Sequence, residues 1–217
     1  MSGRRAPTEA GAHPYVSRGG TKLERALELF AIDVAGKTAL DAGASNGGFT
    51  DCLLRRGAAH VIAVDVAYGA FAWTLRNDER VHVLERTNVR TLDLATVGEE
   101  PVALVVADLS FISLTVVRDA LLGAARPEAS LVLLVKPQFE APRARVERGG
   151  VVRDPEVWRD AMRTVAGAYR DAGWTVAGAC ASPLVGPAGN REFFLHVRRD
   201  GTDAGDAFFD AAIREAP

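Results

Sequence analysis

Short runs rich in β-branched and apolar residues alternate along this chain with stretches patterned for helices, and that alternation limits the fold more than any other feature. Strands are predicted at 38–40, 61–64, 81–84, 102–107, 130–135, 175–181 and 193–197, with helices at 22–31, 48–55, 71–76, 113–124 and 155–172. A parallel neighbour needs a crossover long enough to hold a helix, so strand-helix alternation predicts an α/β class with a doubly wound, mainly parallel sheet. At 217 residues and 48% hydrophobic content the chain holds one such domain, expected over 15–199. Residues 1–14 are small, polar and charged and predict a disordered arm, and 200–217 predict a tail with a short helix around Phe208-Phe209.

The first strand runs into Asp41-Ala42-Gly43-Ala44-Ser45-Asn46-Gly47-Gly48 and then a helix. Gly43, Gly47 and Gly48 let the backbone turn sharply and let a ligand approach the helix N-terminus, with Ser45 among them. Asp65 ends the second strand, where a carboxylate accepts both hydroxyls of an adenosine ribose. Together these features predict a nucleoside cofactor. Asp41 chooses among such cofactors, because its carboxylate repels a dinucleotide pyrophosphate and suits the cationic amino end of S-adenosylmethionine. The alternatives are a nicotinamide cofactor, or a purely structural turn in which Asp41 caps a helix.

Of 26 basic residues only Lys22, Lys37 and Lys136 are lysine. Lys22 follows Ser17-Arg18-Gly19-Gly20 at a helix start, and Lys136 ends the apolar run 131–135. An amine loses its proton when desolvated near other cations, and a guanidinium does not, so a lysine at a buried strand end points to a need that arginine cannot meet. Between them Asp108 ends the run 104–107, and beyond them Glu192 stands in Gly189-Asn190-Arg191-Glu192-Phe193. Singly, each has a plain structural alternative: a helix cap for Asp108, a solvated charge for Lys22, and pairing of Glu192 with Arg191 or Arg198 on an exposed strand.

Several long motifs occur in one order: Val16-Ser17-Arg18-Gly19-Gly20-Thr21-Lys22-Leu23, Asp41-Ala42-Gly43-Ala44-Ser45, Leu84-Glu85-Arg86-Thr87-Asn88, Ala107-Asp108-Leu109-Ser110-Phe111-Ile112-Ser113-Leu114 and Val135-Lys136-Pro137-Gln138-Phe139-Glu140. From about residue 15 to 197 the chain resembles the methyltransferase domain of the TlyA family, the hemolysin A-like ribosomal RNA 2′-O-methyltransferases of the FtsJ type. The resemblance implies a seven-stranded, Rossmann-like S-adenosylmethionine-dependent fold whose antiparallel last strand carries Glu192. It implies a catalytic tetrad on Lys22, Asp108, Lys136 and Glu192, with donor binding by Asp41, Gly43, Ser45, Gly47, Gly48, Asp65, Asn88 and Asp108.

Methyl transfer to a hydroxyl is an in-line displacement, so the oxygen must be held near the methyl carbon and relieved of its proton. Lys136 is the candidate base, and Asp108 and Glu192 orient the two ammonium groups through charge-assisted hydrogen bonds. Phe111 and Phe139 each follow a tetrad residue by three positions. They either stack on a substrate base or belong to the core. Arg143, Arg145 and Arg148 lie in a Gly-containing segment expected to be a mobile basic loop. With Arg4, Arg5, Arg18 and Arg191 they form a candidate phosphate-binding patch for RNA, the alternative being a solvated surface loop.

A net charge of −2 carries no global nucleic-acid signature. Cys52 and Cys180 lie far apart without paired His or Cys spacing, which predicts reduced thiols and no metal site. No apolar run reaches the length of a membrane span and no leader peptide is apparent, which predicts a cytoplasmic protein. Members of the resembled family carry an S4-type RNA-binding domain where this sequence has its polar arm. That difference keeps a small-molecule hydroxyl, such as a nucleoside, open as the substrate beside ribosomal RNA. A membrane-active hemolysin and an RNA-binding assembly factor without turnover are further alternatives.

Overall fold

The computed structural model describes residues 14–217. In chain order the elements are α1 (Gly19–Leu29), β1 (Thr38–Ala42), α2 (Gly48–Arg55), β2 (His60–Val64), α3 (Trp73–Arg76), β3 (Val81–Leu84) and β4 (Val102–Ala107). They continue with α4 (Arg118–Gly123), β5 (Ala125–Val135), α5 (Pro137–Glu140), α6 (Pro155–Asp171), β6 (Thr175–Ala181), β7 (Phe193–Arg198) and α7 (Ala207–Glu215). One seven-stranded sheet runs β3-β2-β1-β4-β5-β7-β6. Only β7 is reversed, pairing antiparallel with both β5 and β6. It follows β6 through residues 182–192, a direct return that needs no helical crossover.

Successive side chains of each central strand face opposite cores. Leu40, Ala42, Val105, Ala107, Leu131, Leu133 and Val135 enter one, where α6 and α7 supply Met162, Val165, Tyr169 and Phe209. Ala39, Leu104, Val106, Val132 and Leu134 enter the other, against Leu23 and Leu27 of α1 and Phe49 and Leu53 of α2. With both faces covered, the strands read as unbroken apolar runs.

Several element boundaries differ from those the residue pattern predicts, two of them with a visible cause. The helix expected from 22 begins at Gly19, so the glycines of the expected turn lie inside it; a Cβ on Gly20 would collide with the ring of Tyr15. The helix expected over 113–124 shrinks to α4. Ser113 Oγ receives the Thr115 N–H at 3.1 Å, bonds Thr115 Oγ1 at 2.7 Å and donates to Glu140, so the side-chain bonds here compete with helical ones. The short helix expected around Phe208-Phe209 is α7, and it docks on the core. Phe209 of α7 is fully buried, and Arg159, Arg163 and Arg170 of α6 pair with Asp210, Asp206 and Asp203. No helix among the described residues is long and apolar enough to cross a membrane.

Asp41 latches β1 to α2. Its Oδ2 accepts from Thr50 Oγ1 at 2.6 Å, its Oδ1 has no partner, and the residue has no exposed surface. Burial, against the pull of the Thr50 hydrogen bond, pushes this carboxyl up to about 7. Unfolded, an aspartate titrates near 4. Between those values the folded chain holds a proton that the unfolded chain lacks, so Asp41 contributes stability below about pH 4 that is lost as pH rises through about 7. His196, lowered to about 4 by burial, has the opposite sign over the lower part of this window. The expected outcome is therefore a difference: the melting temperature of Asp41→Asn minus that of the native chain should rise from pH 4 to pH 8. A difference independent of pH would show that Asp41 titrates alike in both states.

Candidate active site

Crossovers leave β1 and β4 in opposite directions, which opens a crevice at their carboxyl ends, the usual ligand position of a doubly wound sheet. A cavity of 410 Å³ lies there, lined among others by Gly43, Ser45, Asp65, Asn88, Asp108, Ser110 and Phe111. Gly43 has φ 89°, and a Cβ on it would strike the Asp108 carbonyl oxygen, so glycine is what lets the turn after β1 touch the end of β4. Asp108 N in turn donates to Ala42 O at 2.9 Å. Across the cavity the Asp65 carboxylate receives the N–H groups of Ser45 and Ala67, each at 2.7 Å. A carboxylate has further lone pairs for a ligand. Asn88 Oδ1 receives Arg90 N at 3.0 Å and so caps a short 3₁₀ turn at the rim.

Gly47, at φ 92°, is the N-cap of α2, and Gly48 lines a second cavity of 190 Å³ with Arg18, Lys22, Asp108 and Pro187. Asp41 corrects the expectation of direct ligand contact. It lines neither cavity and stands wholly buried behind the turn, where only its field reaches a ligand.

The four residues of the expected tetrad meet as two ion pairs. Lys22 Nζ donates to Glu192 Oε2 at 2.6 Å, across 170 positions of sequence. Lys136 Nζ lies 2.6 Å from Asp108 Oδ1, outside hydrogen-bonding angles, and donates to Ser110 Oγ at 2.9 Å. Lys22, Lys136 and Glu192 are 8%, 9% and 3% exposed. Ammonium groups at such burial are tolerable only because each meets a carboxylate, and removing one partner would leave an uncompensated charge. Glu192 stands one residue before β7 and pairs with Lys22, not with Arg191 or Arg198.

Lys136 and Glu192 also line a third cavity, of 340 Å³, with Ser110, Phe111, Gln138, Phe139 and Pro187. Ser110 and Phe111 are common to the first and third cavities, so the lysine pairs stand where the spaces adjoin. Phe111 is 90% exposed at φ 65°, a costly backbone for an aromatic residue, with its ring 5.1 Å from that of Phe139.

The segment expected to be a mobile basic loop is tied down. The buried Asn190 receives Val152 N at 2.8 Å and donates to Gly150 O at 2.9 Å, while Arg153 pairs with Glu147. Arg145 is held by Asp160 at 2.5 Å and Asp154 at 3.4 Å, so its guanidinium is already engaged. Arg4 and Arg5 lie outside the described residues. No cluster of His, Cys, Asp and Glu among the described residues is arranged to hold a metal ion.

Two members of the site escaped prediction. Ser110 was signalled only by its place two residues after Asp108, the spacing that returns to the same side of an extended segment. Asn190 is buried through contacts 38 and 40 positions away, which no local pattern shows.

The sequence profile of FtsJ-like methyltransferases matches residues 15–199. The 16S/23S rRNA (cytidine-2′-O)-methyltransferase TlyA of Mycobacterium tuberculosis is 57% identical over 184 residues, 85% of this chain and 68% of that protein. Hemolysin A of Brachyspira hyodysenteriae is 39% identical over 182 residues, 84% of this chain and 76% of that protein. A crystal structure from Lactococcus lactis that carries the hemolysin name superposes with a TM-score of 0.87 at 40% identity, covering 92% of this chain and 97% of that one. With its profile match, its relatives and its sheet in agreement, the chain belongs to the FtsJ-like methyltransferase family and to the TlyA group within it.

Proposed function

We propose that this protein transfers a methyl group from S-adenosylmethionine to a ribose 2′-hydroxyl of ribosomal RNA, in the cytoplasm. The observation that carries the reading is the set of two lysine-carboxylate pairs, with both lysines and Glu192 buried, at the junction of three cavities. The name of the M. tuberculosis relative specifies cytidine 2′-O-methylation of 16S and 23S rRNA, which supports the same substrate class here.

The first cavity fits the donor by its own geometry. Asp65 is oriented by two backbone N–H groups toward a ribose, and Gly43 brings the Asp108 peptide close. Ser45 and Asn88 line the rest of it, Gly48 lines the adjoining second cavity, and the unpartnered Oδ1 of Asp41 stands behind the turn. The bound donor supplies an electrophilic methyl group on a sulfonium.

Once its ammonium has released a proton to solvent, the free amine of Lys136 takes the proton that the attacking hydroxyl loses and returns to the ammonium that pairs with Asp108. Ser110 Oγ takes one N–H of that nitrogen and Asp108 lies against it as its charge partner, which leaves the lone pair of the free amine for the hydroxyl. Glu192 neutralises Lys22, whose ammonium positions the ribose from the other side. Phe111, exposed beside the lysine, stacks on a base with Phe139 behind it. Arg18, Arg143 and Arg148 bind phosphates, and Arg145 braces their loop against α6.

Three outcomes follow from these assignments. Asp65→Ala should weaken donor binding by about 1.5 to 3 kcal/mol in calorimetry, the value of two hydrogen bonds to a charged group. Unchanged affinity in a folded variant would remove Asp65 from the site. Lys136→Arg should keep the positive charge yet abolish transfer in a labelled-methyl assay, because guanidinium does not act as a base; retained transfer would leave Lys136 an electrostatic role only. Replacing Arg18, Arg143 and Arg148 with Ala should raise the RNA KM and lower the log-log salt slope of RNA binding by about 0.7 to 0.9 per lost phosphate contact. Turnover of a free nucleoside that ignores salt would replace RNA with a small substrate.

A further inference from the structure

Glu140 has no place in the tetrad, yet it joins the two strand-end segments on which the tetrad depends. Residues 108–114, following β4, form an arch that carries Asp108, Ser110 and Phe111. One foot is fixed where Asp108 N donates to Ala42 O at 2.9 Å. At the other foot Leu114 N donates to Glu140 Oε1 at 2.8 Å, and Ser113 Oγ donates to Glu140 Oε2 at 2.5 Å. Tyr169 Oη reaches the Leu114 carbonyl from below at 3.5 Å, and the Leu114 side chain is buried in the core.

Glu140 is the last residue of α5, the single turn that starts directly after Lys136 and includes Phe139. One side chain therefore holds the arch against the segment bearing the candidate base. The separation of Lys136 Nζ from Ser110 Oγ, and of the Phe111 ring from the Phe139 ring, both span that junction.

The staple is costly in itself. Burial raises the Glu140 carboxyl above the usual range, while the bonds from Leu114 and Ser113 pull it back in part. No cation among the described residues pairs with it. A half-buried carboxylate with no counter-ion among the described residues is a poor device for stability alone. The arch it secures carries Phe111 in a left-handed backbone that would relax if released.

We infer that Glu140 is a positioning residue for methyl transfer: it sets the gap between the Asp108–Leu114 arch and the Lys136–Phe139 segment across which the target nucleoside is gripped. The inference rests on the reading of the site given under Proposed function. Glu140→Gln keeps an acceptor for Leu114 N and a partner for Ser113 Oγ, so it should transfer methyl groups at a rate near that of the native chain. Glu140→Ala should lower kcat/KM for RNA by about 10- to 100-fold, the scale of an ångström-sized misplacement, and by more than it weakens donor binding.

A double-mutant cycle with Phe111→Ala separates positioning from general destabilisation. The cost of Glu140→Ala should shrink when Phe111 is already absent, because part of what the staple holds is gone. Hydrogen exchange at the Leu114 amide should accelerate in Glu140→Ala and stay slow in Glu140→Gln. Should Glu140→Ala fail to fold, Ser113→Ala removes the Oε2 contact and the Ser113 bonds to Thr115 but keeps the Leu114 N–Oε1 bond, and should give a smaller loss with the same dependence on Phe111.

Full additivity in the cycle would overturn the inference. So would Glu140→Gln as damaging as Glu140→Ala, or a Leu114 amide still protected in Glu140→Ala. A native chain that methylates no RNA would instead sink the proposed function, and the exchange measurement would still judge the staple.

Discussion

Everything at the site depends on the turn after β1 lying in contact with the end of β4. The two strands pair in parallel through Asp41 with Val106 and Ala42 with Ala107, and the next residues, Gly43 and Asp108, touch backbone to backbone. Because β2 and β3 build outward on one side and β5 on the other, the chain diverges at this contact and leaves a crevice. Asp65 and Asn88 reach that crevice from one flank, Ser110 and Phe111 from the other. A side chain at position 43 would force the strand ends apart and separate the first cavity from the lysines.

The second governing constraint is electrostatic. Two ammonium groups and two carboxylates are withdrawn from water within one site, and their mutual pairing makes this tolerable. Such an arrangement is weak evidence for stability and stronger evidence for chemistry, since apolar residues of similar size would hold the fold as well. Asp41 and Glu140 depart from that pattern nearby, the first fully buried and the second half-buried, each without a cation among the described residues and each pushed upward by burial. Acids of this kind surround the reaction site on two sides, one behind the glycine turn and one beneath the Phe111 arch.

Misread parts of the chain share one cause. The stretch 113–124 has helical composition, but Glu140, 27 positions beyond Ser113, captures its first residues in a hydrogen-bonded turn. Arg145 looks like a free phosphate ligand until α6 brings Asp154 and Asp160 beside it. The Gly149-Gly150 segment has the composition of a mobile loop, and Asn190 fastens it from 40 positions away. Asp41 sits in a ligand-binding motif, yet Thr50 turns its carboxylate into the protein interior.

The amino-acid order by itself determined the alternating strands and helices, the glycine turn after β1, the acid at the end of β2 and the placing of Lys136 and Asp108 at strand ends. These follow from backbone preference, from side-chain period and from residue chemistry, all of which act over a few positions. Only the tertiary structure decided that Lys22 pairs with Glu192 and Lys136 with Asp108, that Ser110 joins Lys136, that Phe111 projects into solvent while Phe209 is buried, and that Glu140 links two loops. Each of these depends on distance and desolvation, which exist only once segments remote in sequence have packed against one another.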